Sequence, residues 1–128
     1  MPTHDWKRTA ADLNEALRPL RVGAHEPMKA FSALARASLE ARALDVKTKE
    51  LIALAISVAT RCDGCIAFHA EAAARQGASR EEVLETMAMA IYMGAGPSVM
   101  YAAQALEAFD QFAGGHQSHE SRMPEPVG

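Results

Sequence analysis

The sequence predicts an all-α protein: a single-domain bundle of about six helices around a central antiparallel helical hairpin. Three observations carry that expectation. Apolar residues recur at helical spacing along most of the chain, and alternation of period two is almost absent. The apolar content is 49% but aromatics supply only 5%, so Ala, Leu and Met carry the load, and these suit helices better than the pleated surface of a sheet. The chain has 128 residues, enough to bury one real core and no reason to expect two.

Taken in order, a first amphipathic helix over about 7–21 carries Ala10, Leu13, Leu17 and Leu20, and Pro19 is expected to distort or end it. A second begins near Pro27, a residue suited to a first helical turn, and presents Met28, Phe31, Leu34 and Ala35. Asp45 is the expected N-cap of a third helix over 46–59, "VKTKELIALAISVA". That helix is apolar on most of its surface after Glu50, which predicts a central, buried position. Thr60, Asp63 and Gly64 break the pattern before a fourth helix, about 63–76, that stops at Gly77. "SREE" at 79–82 matches a capping box for the fifth helix, which runs to about Met93. Gly94, Gly96 and Pro97 end that helix and open a sixth over about 97–113. The remainder, 114–128, has no periodicity and reads as a flexible tail in which His116 and His119 are solvated. The organisation expected is one domain with N-terminal helices over 1–43, a core over 44–113 and the tail.

Charge and composition exclude several functions. The net charge is −3 with both signs interspersed, so no surface for a polyanion is evident and nucleic acid is not an expected partner. The N-terminal stretch is too charged for a signal peptide, and no apolar run is long enough to cross a bilayer. A cytoplasmic protein without a membrane partner is the expectation. "LIALAISVA" and "VLETMAMAIYMGAG" are apolar over most of their circumference. One domain of this size has difficulty covering both, which points to a homo-oligomer. Met87, Met89, Met93 and Met100 fit core filling or subunit packing at such spacings.

The chemistry concentrates in "RCDGCIAFH", residues 61–69, which holds the only two cysteines. Cys62, Cys65 and His69 are three and four residues apart, so on a helix they share one stripe. Thiols at a helix start face unpaired amides and the positive end of the dipole, which favour thiolate, and His69 one turn on can take a proton. A stable structural disulfide is rare in the cytoplasm. The residues alone leave three readings: a redox pair, part of a metal site, or two small buried cysteines. A zinc site needs about four ligands, and His4, His25, His116 or His119 could complete one only by long-range folding or across a subunit boundary. Ile66, where a histidine is needed, speaks against haem attachment, and the missing βαβ pattern speaks against a thioredoxin fold. If the chain reverses near residues 60–62, Glu50 comes opposite His69, with Cys65 and Cys62 beyond it. The same glutamate also suits the charged first turn of its own helix.

Glu50, eleven residues, Cys62, two residues, Cys65, three residues and His69 together resemble the signature of the alkylhydroperoxidase D-like proteins of the carboxymuconolactone decarboxylase superfamily. The similarity extends over about 44–113. The resemblance implies an all-α domain that forms trimers or hexamers and reduces hydroperoxides through a cysteine pair. It implies that Cys65 is the peroxidatic thiol, His69 its base and Glu50 the group that orients or relays protons to it. Cys62 would be the resolving thiol and the contact for a dithiol reductant or a lipoyl or thioredoxin-like protein. No cofactor or metal is called for. The motif departs from the best-known members at Asp63-Gly64, where they carry a histidine that joins the relay; the charge of Asp63 would tend to raise the thiol pKa values. Two other readings stand beside this one: a non-catalytic helical oligomer that binds a metal or small ligand, and lactone decarboxylase-type acid/base chemistry on His69 and Glu50. Trp6 and the first helix lie outside the resemblance and are candidates for packing on a neighbouring subunit.

Overall fold

A computed structural model describes residues 1–116, with Gly115 and His116 given by their place in a helix alone. Six helices and no strand occur among these residues: α1 Trp6–Gly23, α2 His25–Leu39, α3 Val46–Ala59, α4 Asp63–Arg75, α5 Arg80–Gly94 and α6 Gly96–His116. The expected all-α architecture is what is found.

Local signals set most boundaries. The Asp45 carboxylate accepts from the Thr48 amide at 2.8 Å and opens α3. The Ser79 hydroxyl and the Glu82 carboxylate form the reciprocal capping box of α5. Gly77, at φ +81°, lets the chain leave α4 in the left-handed region that glycine adopts without strain.

The core lies where α4 meets α3 and α6, with α5 packed on α3 and α6. Much of it is alanine: Ala67, Ala70 and Ala73 of α4 and Ala105 and Ala108 of α6 are fully enclosed. Small side chains let helix axes approach closely, and Leu54, Val58, Ile66 and Val83 fill the space between them.

Four expectations are corrected. Pro19 does not end the first helix, which continues to Gly23. The proline lacks one amide, but its neighbours keep theirs: Ala24 still donates to the Leu20 carbonyl at 2.8 Å, and the ring is exposed. The helix α3 is central but not buried all round. Leu54 and Val58 are enclosed, whereas Ile52 and Ile56, one turn apart, are 44% and 56% exposed because the neighbouring helices cover only part of its circumference.

The last helix runs past residue 113, through Gly114 and Gly115 to His116, and Phe109, Phe112 and Ala113 anchor the turn before that extension in the core. Residues 117–128, most of the expected tail, lie outside the described residues, as does the side chain of His116. Trp6, finally, does not reach for another subunit. It is fully buried in its own chain, where its indole Nε1 donates to Glu107 Oε1 at 2.9 Å.

That contact belongs to a clamp. The Thr3 amide and hydroxyl and the His4 amide also donate to Glu107, the Trp6 amide donates to Gln111, and Gln111 Nε2 donates to the His4 carbonyl. Burial pushes the Glu107 carboxyl up, but the hydrogen bonds from Thr3, Trp6 and His4 outweigh it and hold the group at about 2. The clamp fastens the start of α1 to α6 and so lays α1 along α4.

Candidate active site

The site is built at the reversal between α3 and α4. After Ala59 the chain turns through Thr60, whose amide donates back to Ile56, and Arg61, which adopts a left-handed φ of 57°. This conformation is uncommon for a residue with a side chain, and it closes the reversal within three residues. The Cys62 amide then donates to the Ser57 carbonyl at 3.0 Å. Cys62 is the N-cap of α4, and its Sγ accepts from the Cys65 amide at 3.2 Å. Both cysteines therefore sit at the positive end of the helix.

Cys62 and Cys65 are joined as a disulfide with their Cα atoms 5.2 Å apart, and both are half-buried. The spacing that makes this bond is the three-residue separation across a helix's first turn.

The antiparallel run of α3 and α4 brings the carboxylate and the imidazole together. Glu50 Oε1 lies 2.7 Å from His69 Nδ1. The glutamate side chain is only 7% exposed and the histidine 32%. A carboxylate can only accept a hydrogen bond, so Nδ1 is the donor in this bond, and in the neutral imidazole Nε2 is then the nitrogen left to accept a proton. Among the described residues Nε2 has no partner. His69 follows Cys65 by one helical turn on the same stripe of α4.

Two of the pairs singled out in the sequence are thus formed, Cys62 with Cys65 and Glu50 with His69, and α4 carries His69 one turn beyond Cys65. Asp63, the first inner residue of the motif, is exposed and lies in the first turn of α4. Its charge is favoured there by the helix dipole. Tyr92 is 77% exposed, and Met89, Met93 and Met100 also face outward, whereas Met87 fills the core. Among the described residues no group of three or more His, Cys, Asp or Glu is arranged to hold a metal ion. No helix there is long and apolar enough to cross a membrane.

Sequence reasoning missed three contributors. Ser57 is 3% exposed and supplies the carbonyl that seats Cys62. A serine on an otherwise apolar helix was the available signal. Arg61 sets the reversal, and nothing in its residue type announces a left-handed φ. Leu13 of α1 packs on Gly64 inside the motif; the glycine itself was the signal, since it permits close approach.

A six-helix chain with a CxxC disulfide at a helix start, a histidine one turn further along that helix and a glutamate reaching it from the adjacent antiparallel helix defines a class of thiol-bearing all-α proteins. The Carboxymuconolactone decarboxylase family model matches residues 25–108, and the chain belongs to that family. An uncharacterised protein of Cupriavidus necator is 38% identical over 108 residues, spanning 84% of this chain and 96% of that one. The apo crystal structure of a carboxymuconolactone decarboxylase family protein from Legionella pneumophila is similar at 50% identity and a TM-score of 0.82, covering 84% of this chain and 96% of that one. A second family structure, from Thermotoga maritima, shares 29% identity at a TM-score of 0.73, covering 91% and 97%. That protein is described with a possible involvement in an antioxidative response.

Proposed function

We propose that this protein is a cysteine-based peroxidase, a thiol-disulfide oxidoreductase that reduces hydroperoxides. The observation that carries the reading is the 2.7 Å contact of a buried Glu50 carboxylate with His69, one turn from a cysteine that pairs with a second across a helix start. Such a pair can draw a proton from a thiol and stabilise the imidazolium that results. The antioxidative association of the Thermotoga maritima relative supports it.

In the reduced protein, His69 Nε2 takes the Cys65 proton and the thiolate attacks the terminal oxygen of ROOH. The O–O bond breaks, Cys65 becomes a sulfenic acid, and the leaving alkoxide collects the proton as ROH. The Cys62 thiol then attacks the sulfenic sulfur, releasing water and forming the disulfide. A dithiol reductant, or a lipoyl or thioredoxin-like protein, returns two electrons and two protons. The chain acts as a homo-oligomer, cytoplasmic in setting, with the outward-facing apolar residues of α2, α3 and α5 covered by other copies.

The test is a thiol count after stoichiometric hydroperoxide. Rapid loss of both thiols, with a mass change of two hydrogens only, is the expected result. Oxidation no faster than that of a free thiol overturns the reading. Lactone decarboxylase-type chemistry, which needs only Glu50 and His69, would instead survive replacement of both cysteines, and a ligand-binding oligomer would show no turnover at all.

A further inference from the structure

Glycine is a poor residue for a helical turn, yet Gly64 occupies the first turn of α4 between the two cysteines. The space around it gives the reason. A Cβ placed on Gly64 would lie 2.8 Å from Leu13 Cδ1, well inside van der Waals contact, so the leucine of α1 rests on the backbone of the motif itself. The helix that carries Leu13 is anchored. Trp6 and Ala10, on the same stripe of α1, are buried, and the Glu107 and Gln111 clamp fixes the start of that helix. The contact also comes from a different side than the chemistry, since Gly64 is about 140° around α4 from His69. The helix α1 lies outside residues 25–108 matched by the family model.

A disulfide forms only when the Cα atoms lie within a narrow range, and 5.2 Å falls inside it. After reduction nothing covalent keeps the sulfurs together. What remains is the backbone turn, held on one side by the Cys62 amide on the Ser57 carbonyl and on the other by Leu13 against Gly64. We propose that Leu13 is a positioning residue that braces the first turn of α4 and holds the reduced cysteine pair ready to close. The consequence is a higher effective concentration of one thiol at the other, and a disulfide favoured over the dithiol. The inference rests on the proposed redox role of Cys62 and Cys65, but its test needs no peroxide.

The full chain is equilibrated against mixtures of reduced and oxidised dithiothreitol, and the disulfide fraction is read by alkylation and mass. The exchange balances: protein disulfide plus dithiol gives protein dithiol plus the cyclic disulfide. Leu13→Ala should shift the equilibrium toward the dithiol by about three- to tenfold, and Leu13→Met, which keeps the volume, should not. Because ten in the equilibrium constant corresponds to about 30 mV, the expected change in potential is about 15–30 mV upward. Gly64→Ala should move the parent protein the same way, by pushing against Leu13, and should have little effect once Leu13 is Ala. A merely structural Leu13 lowers the melting temperature and leaves the redox equilibrium alone. Leu13→Ala and Gly64→Ala both within twofold of the parent overturn the proposal while leaving peroxidase activity untouched; a parent protein inert to peroxide would sink the function and leave the brace standing.

Discussion

At His69 the imidazole is engaged through Nδ1 alone, and the chemistry of the corner depends on what that bond does to the other nitrogen. A carboxylate on Nδ1 selects, in the neutral ring, the tautomer whose Nε2 can accept a proton, and fixes the orientation of the imidazole. Glu50→Gln keeps the size and an acceptor oxygen but removes the charge. Oxidation of Cys65 is expected to slow by about 10- to 100-fold, with fold and assembly intact. Stopped-flow oxidation and thermal melting of the same variant separate this from a packing role, for which the rate would not change. The two cysteines should also part company. Cys62 as N-cap is nearer the helix terminus, but Cys65 is one turn from His69, and in a half-buried site a close base is screened less than a diffuse dipole. Cys65→Ser should abolish peroxide consumption, whereas Cys62→Ser should leave a single turnover and a sulfenic acid that dimedone traps. The reverse pattern would exchange their roles.

Among the elements, the N-terminal clamp and the cap of α5 give separable tests. Glu107 is held at about 2 in the folded protein against 4.5 for an ordinary glutamate. A carboxyl whose pKa is depressed by folding adds stability that is complete above its unfolded value and is lost as pH falls toward the folded one. Stability should therefore decline between about pH 4.5 and pH 2 as Glu107 is protonated and α1 loosens. Glu107→Gln should cost about 1–2 kcal/mol at neutral pH and flatten that part of the profile, read by urea unfolding at a series of pH values. An unchanged slope would assign the acid lability to other carboxylates. Ser79→Ala removes one half of the capping box and should cost about 1 kcal/mol without touching the cysteine corner.

The whole molecule leaves apolar surface that one chain does not cover. No residue of α2 is buried, and its Phe31 and Leu34 are 63% and 61% exposed. A fifteen-residue helix with so little packing is marginal in water by itself. Ile52 and Ile56 on α3 and Met89, Tyr92 and Met93 on α5 face outward too. The proposed homo-oligomer should appear by light scattering at micromolar concentration. Replacing Ile52 and Ile56 by Lys should weaken it by at least about tenfold, because charge buried at an interface core finds no partner. A monodisperse monomer of the parent chain would overturn the assembly and leave these faces for another partner.

The helices and their caps were readable because each rests on residues within one turn of each other: Asp45 on Thr48, Ser79 on Glu82, Gly77 at its own φ. The meeting of Glu50 with His69 was readable only on the condition that the chain reverse near residues 60–62, since the same glutamate equally suited the first turn of its own helix. Periodicity gives an apolar stripe but not its neighbour, so it overstated the burial of α3. Nor does it say which glutamate a tryptophan 101 residues away will find. By itself, then, the sequence determined six helices, the caps of α3 and α5, the stop of α4 and the stripe of two cysteines and a histidine. The tertiary structure alone decided that Trp6 buries in its own chain, that Arg61 takes a left-handed turn, and that Leu13 lies on Gly64. Local hydrogen bonding and helical spacing act between near neighbours and leave a mark in the sequence. Close packing between distant segments depends on the shape of the whole core, and no short stretch of residues encodes it.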